Sequence, residues 1–514
     1  MTDAPWTGDA CSLVDAFRAG DRSPLEECDA TFAAIEASNL NCFTFLDPES
    51  AREAARTADL AKPFGGVPTG IKELDPVRGW PWTEASLVYA GRIADRTSHH
   101  VERLIQRGGV VPVGSTTASE FGGLNVSVSK INGVTHNPWR HGRTVGGSST
   151  GSAAAVAGGI VSLATAGDGG GSIRIPAGYT GLVGMKGTFG RIPRSPHAYM
   201  RPNTVVVGNV ARSVRDAARY FDVCAGPHPA DPSSLPLGGP WEAGLGSHDL
   251  SGRRVAIVPA LGGATLAPGV EAHVRERAED LAAATGMVLV DRRVEPPNLA
   301  LQWMMGNLAT LIGELGKEWP RCASDLTNEV AFGLRLSETF YNLHTAAAAE
   351  RLRIEANEVM AAAFEDVDFI IAATNPGPAF PADSVTSTPQ TGMAGWAMNR
   401  AIAGWALRGA LFGTRVAGAI APKLPPALLA AAANRFPDLV NMGALTIVAN
   451  LYGNPAVSIP AGTMDGLPIG MQVLGRHHED GVLFDVALAV ERHRPWPLVA
   501  PRIRESQPVG ARLG

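Results

Sequence analysis

Ser172 is the residue whose surroundings best suit a nucleophile. It follows Gly169, Gly170 and Gly171, and glycine adopts backbone angles that are closed to other residues. Successive N–H groups can therefore converge on one point and form an anion-binding nest. Such a nest beside an attacking hydroxyl would stabilise the negative charge that develops on a carbonyl oxygen. The segment thus suits acyl transfer, with an oxyanion hole in the nucleophile's own loop.

The same glycines also suit a phosphate-binding loop, or a tight turn between buried elements. The chain contains no GxxxxGK[ST] motif, and the loop does not match GxGxxG followed by a helix and a suitably spaced acidic residue. These observations disfavour the phosphate-binding loop. Glycine content alone leaves both alternatives open.

A second glycine-serine loop, at 146–152, precedes an alanine-rich run. By itself it resembles the N-cap of a helix. Because the two loops bracket a predicted buried helix over 152–163, Ser148 could approach Ser172 and pass on its proton. A hydroxyl is a poor base, so another group must finally accept that proton.

Lys72 is the candidate for this base. It ends the apolar run 67–71, which is predicted to be a buried strand. No histidine is obviously placed for the role, since His136 and His141 lie in a polar loop and no GxSxG motif is present. A free lysine has a pKa near ~10.4 and is protonated at neutral pH, so burial must lower that pKa.

Three segments together resemble the amidase signature family. They are 65–72, 147–152 and 168–176, in the family's order, and the separation of Ser148 and Ser172 also matches. Further similarity at 40–47, 137–139, 453–455 and 465–472 spreads over nearly the whole chain. The resemblance implies a Ser–cis-Ser–Lys triad in which Ser172 attacks, Ser148 relays the proton, and Lys72 acts first as base and then as acid.

The resemblance also implies a fold and a supporting set of residues. The expected fold is α/β, a single large domain with a mixed, mostly parallel β-sheet flanked by helices. The N–H groups of the three-glycine loop become the oxyanion hole, and the residues that support the loop are Ser149, Asp168 and Arg174. The chain departs from the usual family residues at Glu73, Thr150, Gly167 and Gly169, which leaves the details of the substrate open.

The chain is interpreted as one amidase domain over 1–514. Within it we distinguish an N-terminal helical region at 1–62, a catalytic core at 63–210 and an apolar segment at 393–430. Strand-like runs alternate with helical segments such as 268–285, which is typical of α/β layers; these runs are 110–113, 255–258, 369–373, 455–460 and 469–474. The segment at 393–430 is interpreted as an insertion that covers an apolar substrate.

Composition excludes several classes of function. The 514 residues are 18% charged with a formal net charge of -5, so the chain has no basic field that would attract nucleic acid. Five widely spaced cysteines suggest free thiols, and no His/Cys/Asp cluster has metal-ligand spacing. We therefore expect no metal and no cofactor. An acidic N-terminus and the lack of a long apolar run predict a cytoplasmic protein without a membrane span, and 401–421 is interpreted as an amphipathic helix pair.

The sequence thus predicts a cofactor-free amidohydrolase that cleaves a C–N bond in a small, apolar amide, anilide or carbamate through an acyl-enzyme. A homodimer is compatible with this interpretation. One alternative is the glutamine-hydrolysing subunit of a tRNA amidotransferase complex. Another is a noncatalytic anion-binding protein, although binding alone does not require Lys72. A penicillin-binding type of site is disfavoured, because the SxxK match at 127–130 lacks its companion motifs.

Overall fold

The computed structural model describes residues 4–194, 204–383 and 437–501. Within these residues an eleven-stranded sheet runs through the molecule in the order β1-β3-β2-β6-β8-β7-β12-β13-β11-β9-β10, and β4 and β5 form a separate hairpin. The strands are β1 Phe43–Leu46, β2 Pro68–Lys72, β3 Val111–Thr116, β4 Val128–Ser129, β5 Gly133–Val134, β6 Leu163–Asp168, β7 Val183–Lys186, β8 Val206–Ala211, β9 Arg254–Ile257, β10 Val288–Leu289, β11 Phe369–Ala373, β12 Ala456–Met464 and β13 Leu467–Leu474.

The sheet is mixed. Two parallel pairs, β3 with β2 and β2 with β6, lie toward one flank, and β11 with β9 and β9 with β10 lie at the other. The strands between them pair antiparallel, as does the edge strand β1 with β3. The expected single α/β domain with a mixed sheet flanked by helices is confirmed, with parallel pairing confined to these two regions.

Helices cover both faces of the sheet. They are α1 Ala10–Ala19, α2 Pro24–Ala37, α3 Pro48–Arg56, α4 His99–Arg103, α5 Thr150–Ala157, α6 Arg174–Thr180, α7 Val214–Cys224, α8 Val270–Thr285, α9 Ala300–Leu315, α10 Asn328–Phe340, α11 Leu343–Asp366, α12 Pro437–Tyr452 and α13 Asp480–His493. Side chains of one strand alternate between the two faces. In β11, Ile371 packs into the core with α1, α7, α8 and α13, whereas Ile370 packs with α11 and α12.

In the described part of the N-terminal region, α1, α2 and α3 are joined by turns and one short strand. Ser23 caps α2 through a capping box with Glu26, and Pro24 occupies the first turn, as those residue types favour. The residues of β1, Phe43–Leu46, pair with β3, so 1–62 is not helical throughout. A four-residue strand between two helices has too short an apolar pattern to be told apart from a loop.

The alanine-rich helix is shorter than expected. It spans Thr150–Ala157 rather than 152–163, and Gly159 takes a φ of 75°. Gly159 ends the helix there because glycine accepts the left-handed conformation at little cost. The chain can then turn so that Leu163 begins β6, which delivers Ser172 from the end of a strand rather than from a helix.

The segments at 393–430 and 401–421 lie outside the described residues. Among the residues that the structure describes, no helix is both long enough and apolar enough to cross a membrane. All five cysteines are buried and unpaired.

Candidate active site

Lys72 stands at the end of β2, between β3 and β6, and is only 2% exposed. Its Nζ lies 2.8 Å from Ser148 Oγ and 2.9 Å from Ser149 Oγ. Its backbone N–H donates to Thr165 Oγ1 at 2.8 Å. The lysine is therefore held at both ends, and its amine meets the second glycine-serine loop directly.

The surroundings of Lys72 change its acidity. Burial lowers the pKa of its ammonium to about 8, although the carboxylates of Asp75, Asp168 and Glu73 act in the opposite direction. Removing a charged group from water disfavours its charged form. About a tenth of Lys72 is therefore neutral at pH 7, and the neutral amine is the form that a base requires.

Glu73, which departs from the family pattern, is also buried. Its carboxylate accepts hydrogen bonds from the Ala118 N–H and from Asn132 Nδ2, each at 2.7 Å. Burial raises its pKa to about 7 despite these bonds. Glu73, which directly follows Lys72, thus connects the end of β2 to the loop that follows β3.

Ser148 precedes α5, and a cis peptide bond joins it to Gly147. A Cβ atom at Gly147 would lie 2.3 Å from Ser119 Oγ and 2.7 Å from the Val126 carbonyl oxygen. Only glycine fits between these groups. The Ser148 carbonyl accepts the Ser119 N–H at 3.3 Å, which helps to hold the loop against the lysine.

Ser172 follows the three-glycine loop, just before α6, and is 5% exposed. Its carbonyl accepts the Ser149 N–H at 3.3 Å, so the two serine loops are in direct contact. Its hydroxyl donates to Asn125 Oδ1 at 3.5 Å. Within the described residues no hydrogen bond joins the hydroxyls of Ser148 and Ser172. The structure thus brings Lys72 and Ser148 together. It places Ser172 in the adjoining loop, with its hydroxyl toward Asn125.

The glycine loop is shaped by close packing. Gly171 has a φ of 122°, and a Cβ there would lie 2.3 Å from Thr446 Oγ1. A Cβ at Gly170 would lie 2.9 Å from the Trp303 ring. Both positions require glycine.

One expected oxyanion donor is used elsewhere. The Gly171 N–H donates to Asp168 Oδ1 at 2.7 Å, because the carboxylate lies inside the turn that the loop makes. The Gly171 N–H, one of the three expected oxyanion donors, thus already has a partner in this structure. The N–H groups of Gly169 and Gly170 remain the candidate donors.

Asp168 and Arg174 form a fully buried ion pair, with Nε 3.0 Å from Oδ2. Burial alone would raise the pKa of Asp168, but the Arg174 charge and hydrogen bonds bring it down to about 2. Arg174 also donates to Gln472 Oε1 at 2.8 Å and to Asn450 Oδ1 at 2.7 Å. The pair thereby ties the loop to α12 and β13, far along the chain.

Sequence reasoning missed several residues around the loop. Thr446 and Asn450, one turn apart on α12, donate to the Gly170 and Asp168 carbonyl oxygens at 2.6 and 3.0 Å. Polar residues four apart in the apolar run 442–451 are a usable signal, because buried polar groups need partners. Asn125 and Trp303 carry no comparable local signal.

One group of potential metal ligands occurs among the described residues, formed by Asp9, Cys11 and Asp216. The two Asp216 oxygens accept the N–H groups of Ala10 and Cys11 at 3.0 and 2.9 Å, and Asp9 accepts the Ser12 N–H at 2.8 Å. Both carboxylates therefore serve the first turn of α1. This group is not among the residues around Lys72 and Ser172.

Relatives in sequence include subunits of glutamyl-tRNA(Gln) amidotransferases. The chain is 30% identical over 524 residues to such a subunit from Salinispora arenicola, covering 94% of this chain and 96% of that protein. It is also 30% identical over 525 residues to the corresponding protein from Deinococcus deserti, with the same coverage.

Similar solved structures include a cyclic dimer hydrolase and an aryl acylamidase. A 6-aminohexanoate cyclic dimer hydrolase matches with a TM-score of 0.80 and 26% identity, covering 96% of this chain and 98% of that chain. A bacterial aryl acylamidase of the amidase signature enzymes matches with a TM-score of 0.79 and 22% identity, covering 95% and 97%; at that identity the likeness shows the fold. The Amidase family itself matches residues 28–404. The chain therefore belongs to the amidase family, in agreement with its sequence blocks.

Proposed function

We propose that this chain hydrolyses an amide-type C–N bond with Ser172 as nucleophile, Ser148 as proton relay and neutral Lys72 as base. The observation that carries the proposal is the buried contact of 2.8 Å between Lys72 Nζ and Ser148 Oγ. A site that only binds an anion would be favoured by a fully charged lysine, whereas burial has lowered the pKa of Lys72 to about 8. The noncatalytic alternative therefore receives no support from this arrangement.

In the first half-reaction, Ser172 Oγ bonds to the substrate carbonyl carbon. Its proton passes to Ser148, and the Ser148 proton passes to Lys72. The N–H groups of Gly169 and Gly170 stabilise the resulting oxyanion. The protonated lysine then returns its proton through Ser148 to the leaving nitrogen, the C–N bond breaks, and an ester on Ser172 remains.

In the second half-reaction, water attacks the ester carbon and gives up a proton through the same relay. The ester bond breaks as Ser172 regains its proton, and the carboxylic acid leaves. No cofactor or metal takes part in this scheme. The Ser172 hydroxyl, which donates to Asn125 in the structure, must turn toward Ser148 for the relay to work.

The wall beside the glycine loop supports a small apolar substrate. Trp303 of α9 and Ile447 of α12 pack against Gly170, and Val205 packs against Gly169. Large apolar side chains next to the reacting serine favour apolar acyl or amine groups. This is the reason to retain an amide, anilide or carbamate of a small molecule as the first candidate substrate class.

A second candidate function is that of the glutamine-hydrolysing subunit of a tRNA amidotransferase. Sequence similarity supports this function better than hydrolysis of a small-molecule amide. The relatives at 30% identity are subunits of glutamyl-tRNA(Gln) amidotransferases, and the triad chemistry would serve glutamine equally well. In that case the chain would release ammonia from glutamine and work with partner subunits.

One panel separates the candidates. The purified protein is assayed with acyl anilides, primary amides, aryl carbamates and glutamine, with ammonia or amine release as the readout. Turnover of anilides or carbamates without glutaminase activity supports the small-molecule class, whereas glutaminase activity with co-purifying subunits supports the other.

The Ser172→Ala variant tests the nucleophile itself. It should lose turnover and labelling by a fluorophosphonate while its thermal unfolding stays close to that of the wild type. Residual turnover above about a thousandth of wild type would count against Ser172, since removing a nucleophile usually costs more.

A further inference from the structure

Asp75 is joined to Lys72 in two ways. Its backbone N–H donates to the Lys72 carbonyl oxygen at 2.7 Å. Its Oδ2 accepts the Thr165 hydroxyl at 3.0 Å, and the same hydroxyl oxygen accepts the Lys72 N–H at 2.8 Å. The carboxylate therefore contacts β6 and, through Thr165, the backbone of the lysine that ends β2.

His100 of α4 stands behind this carboxylate. It is 2% exposed, and its Nε2 lies 3.3 Å from Asp75 Oδ2. Its backbone carbonyl accepts the Cys224 thiol of α7 at 3.6 Å. The imidazole thus lies against the carboxylate, which the Thr165 hydroxyl joins to the Lys72 backbone N–H, whereas Ser148 contacts the Lys72 amine.

We propose that Asp75 and His100 are positioning residues for Lys72: Asp75 holds the lysine backbone and favours its protonated form, and His100 holds Asp75. This rests on the proposed role of Lys72 as the base. Neither residue touches the substrate in this scheme. They act through Lys72, which in the proposed reaction must first accept a proton from Ser148 and then return it.

The charged groups around Lys72 and Asp75 determine the direction in which the pKa of Lys72 changes. The carboxylates of Asp75, Asp168 and Glu73 raise the pKa of Lys72 against the larger effect of burial, whereas Arg194 lowers it. Burial would raise the pKa of Asp75 itself, but His100, Lys72 and the Thr165 hydroxyl hold it below its ordinary value. Asp75 thus stays ionised beside the lysine. From α7, Tyr220 and Cys224 also face this region, and burial raises the pKa of both.

The first test is the pH profile of kcat/KM for Asp75→Asn. The substitution keeps the size and the backbone N–H but removes the negative charge, so neutral Lys72 should form at lower pH. The acid limb should move down by about 1 pH unit, the lower end of the range for one nearby charge.

Asp485→Asn is the matched control. Asp485 is also a buried carboxylate paired with a histidine, since His248 Nδ1 lies 2.7 Å from its Oδ2, but it is not among the groups that act on Lys72. In this control the acid limb of the kcat/KM profile should stay at the wild-type pH. An Asp75→Asn limb that is unchanged, or that moves to higher pH, overturns the proposal.

His100 provides a second variant pair that does not depend on the folding of Asp75→Asn. His100→Leu removes the polar group that lies against the Asp75 carboxylate and should lower kcat about tenfold, about the cost of one lost polar contact to a charged group, with KM little changed. His100→Gln keeps a polar group and should restore most of kcat. Equal kcat in the two variants overturns the role of His100.

Lys72→Met separates failure of this inference from failure of the proposed function. If Lys72→Met retains turnover, Lys72 is not the base, and both proposals fall. If Lys72→Met is inactive while the Asp75→Asn limb does not move, the proposed function stands and only the positioning role is refuted.

Discussion

The most informative perturbation of this site is pH, because the proposed base has an unusual acidity. Burial lowers the pKa of Lys72 to about 8. Only the neutral amine can accept the proton of Ser148, so kcat/KM should rise with pH through that value. About 1% of Lys72 is neutral at pH 6 and about half at pH 8, so activity should fall roughly tenfold per unit below pH 7.

The assay is kcat/KM between pH 6 and 10, in buffers of constant ionic strength, with an acyl anilide or glutamine as the panel indicates. The rate of Ser172 labelling by a fluorophosphonate should follow the same acid limb, because it needs the same base. We expect a plateau above about pH 9, at which Lys72 is about 90% neutral.

Lys72→Arg is the control for this experiment. A guanidinium does not lose its proton in this range, so the variant should be inactive at every pH although it keeps a positive charge beside Ser148. A wild-type profile that is flat from pH 6 to 9, or an acid limb that survives in Lys72→Arg, would refute the assignment of Lys72 as the titrating base.

Three further predictions concern stability, metal and substrate size. Arg174→Met should destabilise the protein by about 3–5 kcal/mol in urea unfolding, because it leaves Asp168 charged and buried without its partner; a loss below about 1 kcal/mol would contradict the role of the pair. Activity should survive prolonged dialysis against EDTA, and a loss that zinc restores would overturn the metal-free mechanism. Along linear acyl anilides from acetyl to hexanoyl, kcat/KM should rise by up to about fourfold per methylene, or about 0.8 kcal/mol, if Trp303 and Ile447 enclose the chain; flat values would exclude such a pocket.

The sequence alone suggested the proposed chemistry and predicted several of the strands that carry it. The apolar run before Lys72, the two glycine-serine loops and the strand-like runs at 369–373 and 469–474 are local patterns, and β2, β11 and β13 lie where those patterns predict them. Glycine before a serine is readable without a structure, because a backbone angle that only glycine accepts is a property of the residue itself. The sequence did not predict the length of α5, which ends at Ala157 and not at 163.

What only the tertiary structure decided is which distant groups meet at the loop. Asp168 accepts the Gly171 N–H, α12 supplies Thr446 and Asn450, and His100 of α4 lies against Asp75. The spacing of Thr446 and Asn450 marks them as buried polar residues, but the sequence does not show which groups they meet. Each contact depends on how strands and helices pack across long loops. The acidity of Lys72 depends on the same packing, because a pKa responds to burial and to the nearby charges that the fold brings within reach.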